Sequence, residues 1–162
     1  MCTDIDGNRY NTVKIGTQTW TVENLRTTRF NNGSLIKIDK NWEYTRASRC
    51  CYHNNTTDIN TKIGVLYNWY AVNSKKLAPK GWHVPYDSEW TTLEHYLIAN
   101  GYNYDGSTTG NKIAKSLAAQ TDWDPWDYEG VIGNNMATNN KSGFMAIPGG
   151  WRTKRFFSDL GC

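Results

Sequence analysis

Residues 81–90 read Gly81-Trp82-His83-Val84-Pro85-Tyr86-Asp87-Ser88-Glu89-Trp90. A short apolar segment runs into a proline, and an acidic helix start follows it. Proline fits neither the interior of a helix nor a central strand, so Pro85 marks a boundary between two elements. We predict a short strand over Trp82-His83-Val84 and a helix over about 87–99.

The predicted helix has an apolar face. Trp90, Leu93 and Leu97 recur at helical spacing, so we expect them to lie on the buried side, with Ile98 beside them. Its ends are also marked. Acidic residues occupy the first turn, where the helix dipole favours anions. Asn100-Gly101 predicts a left-handed stop.

The rest of the chain predicts short elements and long loops. Near the N-terminus we predict a turn at 4–8, a strand with Tyr10, Val13 and Ile15, a second strand at 19–22 that completes a hairpin, and a turn at 31–33. Residues 35–61 are predicted to be mostly loop, anchored by Trp42, Tyr44 and Tyr52, and residues 64–72 to form a helix with Leu66, Trp69, Tyr70 and Asn73 on one face. A short helix with Ile113 and Leu117 and an irregular segment at 143–150 follow.

The composition favours one domain over residues 1–162, because 162 residues suffice for one hydrophobic core. The chain has 8 Trp and 10 Tyr but only 4 Phe. Trp and Tyr bring polar atoms that need partners, so we expect a hydrogen-bonded core under long loops.

The charge pattern argues against a nucleic-acid partner, and the hydropathy pattern argues against a membrane-spanning helix. The formal net charge is +3, from 18 basic and 15 acidic residues. A nucleic-acid groove would show a stronger basic excess, so we expect no nucleic-acid partner. No apolar run is long enough for a membrane-spanning helix, and no signal-peptide pattern is present.

Four cysteines give no metal-binding spacing. Cys50 and Cys51 are adjacent and would form a strained bridge with each other. Cys2 and Cys162 lie at the termini, which often approach each other in a domain. A terminal disulfide and free thiols are both compatible with this pattern.

Several blocks of sequence together are similar to one family. They are Asp4-Ile5-Asp6-Gly7-Asn8, Ile15-Gly16-Thr17-Gln18-Thr19-Trp20, Glu23-Asn24-Leu25, Gly64-Val65-Leu66-Tyr67-Asn68-Trp69-Tyr70-Ala71-Val72, Gly81-Trp82-His83-Val84-Pro85, Asp87 with Glu89 and Trp90, and Ser142-Gly143-Phe144 through Pro148-Gly149-Gly150-Trp151-Arg152. In this order they resemble the Fibrobacter succinogenes major paralogous domain, from near residue 3 to near residue 160.

The resemblance implies a fold. The segment from Val84-Pro85 to Trp90 also looks like the strand–Pro–helix segment of the formylglycine-generating (sulfatase-modifying) enzymes, which have a C-type-lectin-like fold. We therefore expect an α+β, C-type-lectin-like fold with two main helices, small antiparallel sheets and long loops.

Two departures from the family pattern bear on the helix start and on the extent of the domain. The family usually has a serine helix cap where Tyr86 stands, so we expect Asp87 to become the cap and shift the helix start by one residue. The family pattern also continues past the Gly-rich segment with closing strands, whereas this sequence ends at Cys162. We interpret the domain as shortened at its C-terminus.

The sharpest candidate site lies at residues 122–129, which hold four carboxylates. Asp122, Asp124, Asp127 and Glu129 could supply the oxygen ligands that Ca²⁺ prefers, so calcium is the one cofactor considered. The EF-hand pattern is absent, and one loop seldom fills the oxygen shell of calcium. The alternative is a solvated acidic turn anchored by two tryptophans.

A second candidate site is aromatic. Trp123, Trp126 and Trp151 could stack on sugar rings if they are exposed, although a buried position is the commoner fate of tryptophan. Arg152 lies next to Trp151 and could hold a carboxylate of the structure or of a ligand.

The sequence shows no convergent catalytic set. His83 and His95 are interpreted as packed or exposed side chains. Cys50-Cys51 and His53 form a superficial Cys/His pattern with no orienting third group. The C-terminal cysteines of the formylglycine-generating enzymes have no counterpart in residues 130–161, so the resemblance carries no activity over.

We predict a non-catalytic, extracellular or cell-surface binding or adhesion module of a bacterium. Its carbohydrate or protein ligand would lie on the loops around 102–141. The alternatives are an enzyme related to the formylglycine-generating group and a structural subunit of a surface assembly.

Overall fold

The computed structural model describes residues 1–39, 46–50, 62–153 and 156–160. In these ranges the chain is a mixed α+β protein with small sheets and few helices, as the sequence predicted. Its elements are β1 (Cys2–Thr3), β2 (Arg9–Tyr10), β3 (Thr12–Ile15), β4 (Gln18–Thr21), β5 (Lys37–Ile38), β6 (Ser48–Cys50), β7 (Leu66–Tyr67), α1 (Trp69–Asn73), α2 (Asp87–Ala99), α3 (Ala114–Leu117), a 3-10 helix (Met136–Thr138), β8 (Gly149–Arg152) and β9 (Phe157–Leu160).

The contacts group these residues into two compact units. The first holds Met1–Tyr10, Asn24–Val84 and Gly149–Leu160, and the second holds Asn11–Glu23 and Pro85–Pro148. The single-domain interpretation stays a prediction. Every helix among the described residues is too short or too polar to span a bilayer.

The first unit contains three small sheets. β1 pairs with β2, and β8 pairs with β9, both antiparallel. In the third sheet the order is β5-β6-β7, with β5 parallel to β6 and β7 antiparallel to β6.

The predicted turn at residues 4–8 is confirmed, with Gly7 at φ +84°. The segment at 143–150 is not irregular throughout, because β8 begins at Gly149.

The helix predicted over 64–72 is wrong in its start and its buried face. Leu66–Tyr67 form β7, and α1 begins at Trp69. Trp69 and Tyr70 are 68% and 48% exposed, and Ala71 is the buried residue of this helix.

The cause is Asn68. Its side-chain oxygen accepts hydrogen bonds from the backbone N–H of Ala71 and of Ser48, both at 3.0 Å. Asn68 is therefore the N-cap of α1 and is buried against β6. This fixes the start of α1 at the next residue, Trp69.

The strand predicted over residues 82–84 is also wrong. No sheet in the described part of the chain includes this segment. Trp82 instead donates its N–H to the carbonyl oxygen of Pro79 at 2.9 Å, which closes a turn.

The second unit is built on the predicted hairpin and on α2. β3 and β4 pair antiparallel, with Val13 opposite Trp20. The buried core of this unit consists of Ile15, Trp20, Leu93, Leu97 and Ile113.

Helix α2 confirms the predicted range and its end. Tyr102 N–H donates to the Leu97 carbonyl, Gly101 N–H donates to the Ile98 carbonyl, and Gly101 has φ +71°. This is a left-handed Schellman stop.

The predicted shift at the start of α2 is wrong. Tyr86 is the N-cap, and the helix begins at Asp87. The Glu89 carboxylate accepts a hydrogen bond from the Tyr86 N–H at 2.8 Å, so the capping half that Glu89 supplies is kept without a serine.

Trp90 differs from the other two residues of its stripe. Leu93 and Leu97 are fully buried, but Trp90 is 39% exposed. It packs on Trp20 with ring centroids 4.7 Å apart and covers one side of the core. The prediction that Trp90 is buried is therefore wrong in part.

Several predictions lie at or beyond the edge of the described residues. Cys2 is buried and has a free thiol in this structure. Outside the described residues lie Trp42, Tyr44, Tyr52, Cys51, His53, Cys162 and the side chain of Cys50.

Candidate functional site

Residues 121–134 form the surface with the strongest functional signal, and we call them the aromatic loop. Two side-chain amides, that of buried Asn139 and that of exposed Gln120, fix the segments next to it. Asn139 is 4% exposed, and its amide nitrogen donates to the carbonyl oxygens of Ala119 and Ile132 at 3.0 and 3.1 Å. Gln120 donates its side-chain amide to the Ala137 carbonyl at 2.9 Å. The return of the loop is thus fixed next to its start.

The aromatic loop also closes on itself. Trp126 N–H donates to the Gly133 carbonyl at 3.3 Å, and the Asn134 side chain donates to the Trp126 carbonyl at 3.3 Å. Val131 N–H donates to the Tyr128 carbonyl at 3.4 Å. These bonds tie the backbone of both aromatic residues to residues 131–134.

Lys115 reaches the same loop from α3. The residue is 6% exposed, and its Nζ donates to the carbonyl oxygens of Val131, at 3.3 Å, and Asn134. Burial lowers the pKa of Lys115 from its ordinary value. A buried lysine with backbone acceptors had no recognisable signal in the sequence.

The exposed face of the loop carries two aromatic rings. Trp126 is 60% exposed and Tyr128 is 72% exposed. Their ring centroids lie 6.4 Å apart with a tilt of 31° between the planes. The sequence pointed to Trp126 but missed Tyr128, although its position two residues along the same loop was the signal.

Trp123 does not belong to this exposed pair. It is half-buried, and its indole N–H is buried without a hydrogen-bond partner among the described residues. Of the two tryptophans proposed for this loop, only Trp126 presents its ring to solvent.

The four carboxylates of the predicted calcium site are all exposed: Asp122, Asp124, Asp127 and Glu129. Within the described ranges, no group of three or more His, Cys, Asp or Glu side chains is close enough to hold a metal ion. The predicted calcium ligands are therefore not brought together in this structure.

Residues 102–112, within the predicted ligand region, fold around a buried side chain. Asn103 is 2% exposed, and its oxygen accepts from the Lys112 N–H at 2.9 Å. At the surface, Lys112 Nζ lies 2.6 Å from Asp105. Hydrogen bonds from Lys112 and Ser107 hold the pKa of Asp105 well below its usual range.

Trp151 and Arg152 lie in the first unit, on β8. Trp151 is 44% exposed, packs against Phe156 with centroids 5.7 Å apart, and donates its indole N–H to Asp159. Arg152 lies over the Phe157 ring at 4.5 Å and donates to the Asp39 carbonyl at 3.3 Å. Both side chains thus have structural contacts within this unit.

The first unit also has a cavity of about 290 Å³, lined by residues 24–25 and 63–67 and by Gly149 and Gly150. Among the described residues of this lining, Tyr67 is the one titratable side chain. Its hydroxyl donates to the Thr27 carbonyl at 2.7 Å, and burial raises its pKa. The described residues of this lining therefore offer no general base at neutral pH.

Of the catalytic candidates, His83 and His95 are exposed. They lie in different units, His83 in the first and His95 in the second. The Cys50-Cys51 and His53 pattern cannot be placed, because its side chains lie outside the described residues.

The comparisons with known proteins give one match. The family model described as Fibrobacter succinogenes major domain (Fib_succ_major) matches residues 13–161. No curated protein and no solved structure matches the chain.

Proposed function

The chain belongs to the Fibrobacter succinogenes major domain family, and from this premise we propose that it is a non-catalytic carbohydrate-binding module. We place its ligand on the aromatic loop and its location on the surface of a bacterium or outside the cell. We also propose that its α+β fold is C-type-lectin-like.

One observation carries the proposal, namely the exposed pair Trp126 and Tyr128. Neighbouring exposed aromatic rings form an apolar patch of the kind found at binding sites, and their apolar faces fit the apolar faces of sugar rings. Tyr128 and Trp126 are 72% and 60% exposed while their backbones are hydrogen-bonded.

The rigidity of the loop supports the same conclusion. A loop that is already ordered loses less conformational entropy on binding. Trp126 is tied to Gly133 and Asn134, and Tyr128 is tied to Val131. The backbone that carries the ring pair is therefore hydrogen-bonded before the ligand arrives.

Binding to a panel of purified polysaccharides tests the proposal, by affinity electrophoresis first and by calorimetry for the hits. We expect Trp126→Ala and Tyr128→Ala each to weaken binding about tenfold or more, the equivalent of about 1.4 kcal/mol. Trp69→Ala is the matched control, because Trp69 is 68% exposed but belongs to the first unit.

Three outcomes would overturn this function. The panel could give no binder, the loop variants could bind like the unaltered protein, or Trp69→Ala alone could abolish binding. Capture of a protein ligand by the same loop, without any carbohydrate, would favour the surface-assembly alternative. Protease treatment of intact cells tests the location, since a cytoplasmic protein would be protected.

A further inference from the structure

We propose that the Lys115 ammonium is the internal cation that positions the aromatic loop for its ligand. The binding part of this inference rests on the function proposed above. Its positioning part rests on contacts within the second unit alone.

The sequence around the loop is unusual in charge. Residues 116–140 contain four carboxylates and no Lys, Arg or His. Lys115 and Lys141 flank this segment. Lys141 Nζ donates to the Gly101 carbonyl at 2.7 Å and lies 5.2 Å from the centre of the Tyr102 ring. The ammonium of Lys141 thus contacts residues 101–102, whereas that of Lys115 contacts the aromatic loop.

Lys115 makes hydrogen bonds through both its side chain and its backbone carbonyl. Its Nζ donates to the carbonyl oxygens of Val131 and Asn134. Its own carbonyl oxygen accepts the N–H of Asn140 at 2.9 Å. One residue thus fixes the far side of the aromatic loop and the segment that follows it.

The two carbonyl groups that Lys115 binds belong to the residues that hold the aromatic pair. Val131 donates its N–H to the Tyr128 carbonyl, and Asn134 donates its side-chain amide to the Trp126 carbonyl. A displacement of either carbonyl is passed on through one hydrogen bond to one aromatic residue. Lys115 is therefore a positioning residue, because it acts on the ligand surface through Val131 and Asn134.

The chemistry resembles that of a bound metal ion. Backbone carbonyl oxygens are among the ligands that hard cations take in protein loops, and an ammonium group supplies three donors to the same oxygens. A buried ammonium is costly unless it is hydrogen-bonded, so its place at 6% exposure depends on these acceptors. The cation that binds the carbonyl groups of this loop is thus the Lys115 side chain, while the carboxylates of Asp124 and Asp127 lie at the surface.

The first experiment measures hydrogen exchange of the amides of residues 126–134 in Lys115→Met, which keeps the length of the stem and removes the charge. We expect exchange at least about tenfold faster than in the unaltered protein, and a similar loss of carbohydrate affinity. Lys141→Met is the matched control and should leave residues 126–134 protected. Unchanged protection in Lys115→Met would overturn the proposal.

Chemical rescue separates positioning from general damage to the fold. In Lys115→Ala, propylammonium should restore both protection of residues 126–134 and carbohydrate binding, and propanol at the same concentration should not. Equal effects of the amine and the alcohol would show that filled volume, not charge, is what matters, and would overturn the proposal. Hydrogen exchange needs no ligand, so it tests Lys115 even where every carbohydrate fails to bind.

Discussion

Gly133 packs directly on the carbonyl group of Asp124. A Cβ atom at position 133 would overlap that oxygen and would lie 3.0 Å from the backbone nitrogen of Trp126. Both neighbours are backbone atoms, so neither can rotate away. This contact holds the two sides of the aromatic loop together and explains a glycine at a position without positive φ.

We therefore expect Gly133→Ala to open the aromatic loop. Overpacking of this kind costs about 1–3 kcal/mol, and here the strain falls on the loop itself. Hydrogen exchange of residues 124–134 should accelerate, and carbohydrate affinity should fall with it. Both are measured on the same preparation, with circular dichroism to confirm that the rest of the chain is folded.

Gly149→Ala is the matched control for this substitution. Gly149 also lacks a positive φ, but its added Cβ would lie 3.6 Å from the Asn24 amide nitrogen and 3.7 Å from Ile63, which is ordinary contact. It should leave the aromatic loop unchanged. Equal loss of loop protection in both variants would contradict the role of the Gly133–Asp124 contact.

The core of the second unit gives a prediction about stability. Leu93 is fully buried in α2, so Leu93→Ala should lower the free energy of unfolding by about 2–5 kcal/mol. His95→Ala on the same helix is the control, since His95 is exposed, and it should change stability by less than about 0.5 kcal/mol. Urea unfolding measures both. A large loss in His95→Ala would mean that the buried face of α2 is assigned wrongly.

The sequence predicted α2 well because all its local signals agree. Leu93 and Leu97 share one face, acidic residues open the helix, and Asn100-Gly101 closes it. The region at 64–72 failed for the opposite reason. Its apolar spacing suggested one helix. In the structure β7 ends at Tyr67 and α1 begins at Trp69, because Asn68 between them bonds to β6 and caps the helix. Such long-range contacts are not visible in the spacing of apolar residues.

The candidate site was predicted in part. Trp126 could be named because exposed tryptophan is a known means of binding sugars, and the carboxylates could be named because they are close in sequence. Among the described residues they form no group that could hold a metal ion, because closeness in sequence does not by itself make carboxylates converge in space. The role of Lys115 could not be predicted, since a lysine is normally assigned to the surface and its carbonyl acceptors leave no trace in side-chain identity.

The N-terminal turn provides a further prediction about stability. Tyr10 is 1% exposed, and its hydroxyl donates to the Asp4 carboxylate at 2.6 Å and accepts the Arg26 N–H at 3.1 Å. Burial and the hydrogen bond to Asp4 raise the pKa of Tyr10, which keeps the phenol protonated. Tyr10→Phe leaves the Arg26 N–H without this acceptor and should cost about 1–3 kcal/mol.

Urea unfolding of Tyr10→Phe should be compared with that of Tyr70→Phe. Tyr70 is 48% exposed, so loss of its hydroxyl should have little effect on the free energy of unfolding. If the two variants lose the same stability, the buried hydroxyl does not support the turn in the way its contacts indicate.

Asp6 makes folding stability depend on pH in the acid range. Burial alone would raise its pKa, but hydrogen bonds from Thr28 and Thr27 and the charge of Arg29 outweigh burial, so the pKa of Asp6 lies below its ordinary value. The folded protein therefore binds the proton less readily than the unfolded chain does. The stabilisation is complete above the unfolded pKa of about 3.9 and is lost as the pH falls through the lower folded value.

Asp6→Asn tests this relation, because asparagine keeps the shape of the side chain but cannot ionise. The unaltered protein should exceed the variant in free energy of unfolding at pH 6, and the difference should shrink as the pH falls below about 4. Asp105→Asn is a useful comparison, since Asp105 is an exposed carboxylate whose pKa is also lowered, by Lys112 and Ser107. Its ion pair is screened by salt, whereas the difference due to Asp6 should persist at high salt because Thr28 supplies neutral donors. A difference for Asp6→Asn that stays constant from pH 6 to pH 2 would show that the charge of the carboxylate contributes nothing to the turn.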